Sequence, residues 1–111
     1  KDAFDQFTGE KVEMDKTFRL FAKTKGVQGA RLLIRMIKTE WSSRELPDGR
    51  TVKDGTAELS ITVGEKKRRI RIDVDETRKV YGVKITVKGA GEAYKKKRMD
   101  YLPWVDVVVS K

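Results

Sequence analysis

The stretch Gly29-Ala30-Arg31-Leu32-Leu33-Ile34-Arg35-Met36-Ile37-Lys38-Thr39-Glu40-Trp41 decides between two folds. Ala30, Leu33, Ile34, Ile37 and Trp41 fall at i, i+3, i+4, i+7 and i+11, the spacing of one apolar helical stripe, with Arg31, Arg35 and Lys38 on other faces. That spacing predicts a helix over residues 29–41. The same residues carry a second pattern, the alternation of Leu32, Ile34 and Met36, which fits a strand. Upstream the ambiguity repeats. Met14, Phe18, Phe21 and Ala22 have helical spacing closed by Gly26 in a C-cap position, whereas Phe18, Leu20 and Ala22 alternate.

Downstream the punctuation is that of a β protein. Pro47-Asp48-Gly49 reads as a tight turn, and Asp54-Gly55 as a two-residue hairpin turn leading into Thr56–Val63. Ala57, Leu59, Ile61 and Val63 alternate with Glu58, Ser60 and Thr62. Gly64-Glu65-Lys66-Lys67 then turns the chain into Ile70, Ile72 and Val74, alternating with Arg69, Arg71 and Asp73. A third alternation, Tyr81, Val83, Ile85 and Val87 against Lys84, Thr86 and Lys88, follows Asp75–Lys79. These three runs predict an antiparallel meander with one apolar and one polar face. Gly89-Ala90-Gly91 reads as a hinge, Glu92–Leu102 as a basic loop or short helix, and Trp104–Val109 as a buried strand with Val105, Val107 and Val109 inward.

The helical reading of the first forty residues gives the expected fold. It is α+β: one or two N-terminal helices packed on a four- to five-stranded antiparallel twisted sheet or small open barrel. The helix Ala30–Trp41 would cover the face made by Leu59, Ile61, Ile70, Ile72, Val83 and Ile85, leaving the opposite face open. An all-β barrel is the alternative if the early segments are strands. With 111 residues, no repeat and no low-complexity linker, a single domain over residues 1–111 is expected.

Composition narrows the function classes. There is no cysteine and no histidine, which removes disulfides, thiolate metal sites and the side chains most used for acid–base and nucleophilic chemistry near neutral pH. A non-enzymatic protein without cofactor or metal is therefore expected. Asp73, Asp75 and Glu76 form a carboxylate cluster, but no metal loop surrounds them and Arg78 and Lys79 adjoin, so a salt-bridged turn is the expected role. No apolar run approaches the roughly 20 residues that span a bilayer. A basic helix with Arg31, Arg35 and Lys38 lying on a membrane surface is disfavoured, because its apolar stripe is needed to cover the sheet. An intracellular location, cytoplasmic or nucleoid-associated, is the corresponding expectation.

Charge points to a partner. The formal net charge is +9, yet residues 1–15 carry 2 basic and 5 acidic side chains, a net of −3. Residues 64–98 carry 13 basic and 5 acidic, a net of +8. A localised field of that sign attracts polyanions. Arg69 and Arg71 on one expected strand and Lys84 and Lys88 on the next would share the uncovered face, where facing like charges cost stability unless an anion lies between them. The runs Lys66-Lys67-Arg68-Arg69 and Lys95-Lys96-Lys97-Arg98 suit phosphate neutralisation at loop tips. Tyr94 and Tyr101 bracket the second run and are placed to stack on bases, whereas Trp41 and Trp104 are expected to be core anchors.

These features predict a nucleic-acid-binding protein, with single strands preferred to duplex because no recognition helix or zinc module is present. A structural or adaptor module of a phage, virion or secretion assembly is the alternative. Its basic face, or Trp104–Val109 as an edge strand, would dock an acidic protein or a second copy of the chain.

Overall fold

The computed structural model describes residues 2–111, and nearly all of the secondary structure is strand. A four-residue helix α1 (Ala3–Gln6) precedes nine strands: β1 (Lys11–Val12), β2 (Phe18–Leu20), β3 (Lys25–Val27), β4 (Leu32–Glu45), β5 (Thr51–Val63), β6 (Lys66–Asp73), β7 (Thr77–Val80), β8 (Val83–Lys95) and β9 (Asp100–Ser110). They form two sheets, one in the order β1-β3-β4-β5-β6 and the other in the order β2-β9-β8-β7. Every pairing is antiparallel except the short β1–β3 pair.

The expected α+β architecture is overturned, because α1 is the only helix among the described residues and the stretch 29–41 lies in a turn and β4. The barrel form of the all-β alternative is also corrected, since the strands divide into two separate sheets and neither closes on itself. The covering layer for the first sheet is the second sheet. Leu32, Ile34, Met36, Ala57, Leu59, Ile61, Ile70 and Ile72 from one side meet Phe18, Leu20, Val80, Val83, Ile85, Val87, Val105, Val107 and Val109 from the other. Alternation alone produces this core, because each strand sends every second side chain inward.

A β-bulge explains the helical appearance of residues 29–41. The register between β4 and β5 shifts between Met36 and Lys38, so the inward set runs Leu32, Ile34, Met36 and then changes phase to Thr39 and Trp41. One inserted residue turns spacings of two into spacings of three and four. Ile34, Ile37 and Trp41 thereby imitate a helical stripe on an extended chain. Met14–Ala22 likewise forms no helix; Phe18–Leu20 is β2, paired with Val105–Val107. Gly26 is no helix cap but a buried residue of β3, where a Cβ would sit 3.1 Å from the rings of both Phe4 and Phe7.

Three turn assignments also change. Asp54-Gly55 lies inside β5, and the turn of the β4–β5 hairpin is Leu46–Arg50, closed by Leu46 N donating to Arg50 O at 2.7 Å. Gly55 is required there for close approach, since a Cβ would meet the Glu40 carbonyl oxygen at 2.8 Å. Gly89-Ala90-Gly91 is no hinge but part of β8, at and just beyond a second bulge between Val87 and Gly89. Glu92–Leu102 is neither loop nor helix over most of its length: β8 continues to Lys95, the turn occupies residues 96–99, and β9 begins at Asp100.

Neither tryptophan is a core anchor. Trp41 is exposed on the outer half of the β4–β5 hairpin, where residues 41–45 are solvent-accessible on both faces. Trp104 lies on the outer face of the second sheet, opposite Gly91, and the Arg19 guanidinium stacks over its ring at 3.6 Å. Arg19 is held there by Asp106 through bonds of 2.8 and 3.1 Å. That hydrogen-bonded carboxylate raises the arginine pKa further.

Candidate nucleic-acid interface

The chain crosses from one sheet to the other between β6 and β7, and this crossing rearranges the expected basic face. Arg69 and Arg71 lie on β6 of the first sheet, while Lys84 and Lys88 lie on β8 of the second. These four side chains do not share a face. Instead β6 and β7 are the edge strands of their sheets, and because three residues join them they flank the same side of the sandwich. Lys67, Arg69 and Arg71 project outward from β6, and Lys79 of β7 stands directly opposite Lys84 of β8 on the outer face of the second sheet. The positive charge therefore wraps a flank.

The first basic run lies on a strand rather than at a hairpin tip. Gly64-Glu65 makes the turn, and Lys66 already pairs with Val63. Alternation then divides the run: Lys67 and Arg69 share the outer face with Thr62 and Ser60, while Lys66 and Arg68 are opposite Val63 and Ile61 on the inner side. Both remain exposed because β6 is an edge.

The most organised part of the flank joins the expected Lys67 and Arg69 to Arg35, Ser60 and Thr62, which were not among the expected site residues. In one cross-strand row Arg35 of β4, Ser60 of β5 and Arg69 of β6 are in register; in the next row stand Leu33, Thr62 and Lys67. At about 4.8 Å between strands, Arg35 and Arg69 emerge roughly 10 Å apart with Ser60 between them. Thr24, Leu33, Arg35, Ser60, Thr62 and Lys67 line a shallow concavity of about 210 Å³ over this patch. Beside Leu33 and Ile34, the lining brings the hydroxyls of Thr24, Ser60 and Thr62 together with the cations Arg35 and Lys67, groups that donate to phosphate oxygens. The alternation Leu32, Ile34, Met36 carried the signal for Arg35, but the helical reading placed it on another surface.

Further along the same face the charge is mixed. Lys38, Glu58 and Arg71 share a row, and Glu40, Thr56 and Asp73 the next. Lys38 pairs with Glu40 at 2.9 Å, and that hydrogen bond raises the Lys38 pKa while lowering that of Glu40. The carboxylates of the crossing are engaged locally: Asp73 accepts from the Thr56 hydroxyl at 2.8 Å, and Glu76 lies 3.5 Å from Arg78.

Elsewhere, acidic residues are matched to cations outside the flank. Asp2 and Asp5 hold Arg31, Glu10 holds Lys25, Glu13 holds Lys16, and Asp48 holds Arg50. Among the described residues, Arg35, Lys66, Lys67, Arg68, Arg69, Arg71, Lys79, Lys84, Lys88, Lys95, Lys96, Lys97 and Arg98 have no carboxylate within ion-pair distance. The acidic N-terminal segment thus leaves the basic flank uncompensated.

The second basic run forms a separate group. Lys96, Lys97 and Arg98 occupy the turn of the β8–β9 hairpin and Lys95 ends β8. Lys84 and Lys95 are eleven residues apart on one strand, roughly 35 Å at 3.3 Å per residue. Lys88 is exposed beside the bulge between them. Tyr94 and Tyr101 face each other across β8 and β9 as an edge-to-face pair with ring centroids 5.1 Å apart, both at least half exposed. They are accessible for stacking, at the end of the molecule that carries the second run. Trp104–Val109 is not an open edge, because β9 lies between β2 and β8 and pairs with β2 at Val105–Val107.

No family model, curated protein or solved structure compared with this chain matches it. No helix among the described residues is long and apolar enough to cross a membrane.

Proposed function

We propose that this protein binds nucleic acid without catalysing a reaction on it, and that the β6–β7 flank is its principal phosphate-contacting surface. The observation that carries this reading is that Lys67, Arg69, Arg71, Lys79 and Lys84, along the flank where β6 passes to β7, have no carboxylate within ion-pair distance among the described residues, while Asp2, Asp5, Glu10 and Glu13 of the acidic N-terminal segment hold cations elsewhere. Placing cations on neighbouring strands costs stability that a polyanion returns. The Arg35–Ser60–Arg69 row supplies a defined phosphate seat, and exposed Tyr94 and Tyr101 supply stacking surfaces. A four-residue α1 is too short to act as a recognition helix, which favours single strands over the duplex major groove.

The experiment is retardation of labelled single- and double-stranded oligonucleotides across a salt series. Binding is expected to weaken with a log–log slope of about −0.7 per phosphate contacted on a single strand, and Arg69→Gln to flatten that slope by about one contact. An affinity indifferent to salt, or an Arg69→Gln slope equal to the parent's, refutes the reading.

A second reading rests on a different observation. The outer part of the β4–β5 hairpin stands exposed on both faces with Trp41 uncovered, the form of an arm that a second copy or another assembly component would cover. Light scattering after size exclusion distinguishes them: a defined oligomer abolished by Trp41→Ser, with no oligonucleotide retardation, favours assembly.

A further inference from the structure

A second cavity, larger than the concavity over the flank, lies at the end of the sandwich where the chain crosses from β2 to β3. It measures about 770 Å³, within the size range of clefts that hold drug-sized ligands. Its floor is Phe21, Ala22, Met36, Leu102 and Pro103. Met36 is also a member of the buried core, so the cleft reaches from the surface to the edge of the sandwich core.

The rim has the opposite character. Lys23, Lys95, Lys97 and Arg98 line it, none with a carboxylate within ion-pair distance among the described residues. The single acidic group at the rim, Glu10, is engaged by Lys25 at 3.1 Å. The Lys95 ammonium sits 4.5 Å from the centroid of the Phe21 ring, which places a positive charge at the boundary between rim and floor. An inorganic anion satisfies the rim and leaves the floor wet; a neutral apolar molecule covers the floor and leaves the cations unpaired. A ligand with an apolar body and one acidic head satisfies both.

We infer that the cleft between the β8–β9 turn and the Phe21–Thr24 crossing binds an acyl carboxylate, its chain over Leu102 and Met36 and its carboxylate among Lys95, Lys97 and Arg98. The aliphatic side chains and the flexible Met36 thioether suit an alkyl chain better than a rigid ring system. Binding gains from the area removed from water and from charge-assisted hydrogen bonds at the rim. Arg35, Ser60 and Arg69 do not line this cleft, although Thr24 borders both concavities, so loss of the seat leaves the cleft's floor and rim in place.

The test is calorimetric titration of the full chain with dodecanoate below its micelle concentration, beside dodecanol, inorganic phosphate and adenosine monophosphate. Saturable one-to-one binding of dodecanoate is expected, at least about tenfold tighter than each comparator, since losing either half of the recognition forfeits about 1.4 kcal/mol or more. Leu102→Glu places a carboxylate in the floor, and Lys97→Glu reverses an exposed rim charge on the turn; each is expected to weaken dodecanoate about tenfold, while Arg69→Glu leaves it unchanged. Lys97→Glu packs against nothing in the core, so its result stands even where Leu102→Glu perturbs folding. Dodecanol, phosphate or the nucleotide binding as tightly as dodecanoate overturns the inference. So does a Lys97→Glu affinity equal to the parent's.

Discussion

Replacing Gly91 by alanine tests the packing of the second sheet at its most crowded point. Gly91 has no left-handed backbone, so alanine fits its φ and ψ and, through the unfolded chain alone, would add about 0.4–1 kcal/mol of stability. The space is what forbids it. A Cβ at Gly91 lies 2.8 Å from Cζ2 and 3.1 Å from Cε2 of Trp104. The indole cannot lift away freely, because the Arg19 guanidinium lies 3.6 Å above it and is pinned by Asp106. Overpacking of this kind costs about 1–3 kcal/mol, and disturbing the cation–π stack adds about 0.5–1. The net expectation is a loss of about 2 kcal/mol. With an unfolding entropy of about 2.1 cal/mol/K per residue over the chain, that lowers Tm by about 9 °C. Gly89→Ala is the internal control: its Cβ would lie 3.8 Å from Trp104 Cζ3, an ordinary contact, and stability is expected to hold or rise slightly. Thermal and urea unfolding followed by far-ultraviolet circular dichroism measures both. A Gly91→Ala protein melting within about 2 °C of the parent, or a Gly89→Ala protein losing as much as Gly91→Ala, refutes the reasoning.

Two further perturbations probe the core and the N-terminal segment. Ile61 is fully buried on β5 opposite Ile34, so Ile61→Ala is expected to cost about 2–5 kcal/mol in urea unfolding; a value below about 1 would place Ile61 outside the core. Asp2 caps α1, and its pKa is lowered from the ordinary 3.8, chiefly by the Phe4 backbone N–H donating at 2.9 Å and next by Arg31. A depressed carboxylate pKa means that its stabilisation is present above pH 3.8 and is lost as pH falls through the lower folded value. In a nuclear magnetic resonance titration the Asp2 midpoint is expected below 3.8 in the parent, and in Arg31→Gln higher but still below 3.8; a parent midpoint at or above 3.8 contradicts the cap.

Three strands between Ala57 and Val87 were legible because their alternation is clean and each carries one buried face: Leu59, Ile61, Ile70, Ile72, Val83 and Ile85 are all in the core. The fourth was not: Thr77–Val80, expected to be part of a connection, is β7, and Tyr81, expected to face inward on the third strand, is exposed in the turn before β8. The assignment of those strands to two sheets was not legible. Nothing in Val74-Asp75-Glu76 distinguishes a hairpin that stays in one sheet from a crossing that enters another, since both need a short polar connection. The consequence falls on the candidate site, where the four side chains Arg69, Arg71, Lys84 and Lys88 separate although their strands were placed almost correctly. Residues 29–41 misled for a local reason, the bulge after Met36, which lends helical spacing to an extended chain. Asp54-Gly55 misled because the glycine is there for the Glu40 carbonyl across the ladder, a requirement indistinguishable in sequence from that of a turn. Arg35 and Ser60 became neighbours only once β4 was a strand, so the phosphate seat was hidden by the same misreading.

The pairing of Phe18–Leu20 with Val105–Val107 joins segments more than eighty residues apart. During synthesis at about 5–20 residues per second, the early segment waits several seconds before its strand partner exists. Phe18 and Leu20 stay unsheltered through that interval, while the β4–β5 and β5–β6 hairpins can already form. The second sheet is therefore the late-closing half of the molecule, and any delay in translating residues 100–110 lengthens the time for which Phe18 and Leu20 are open to the wrong partner.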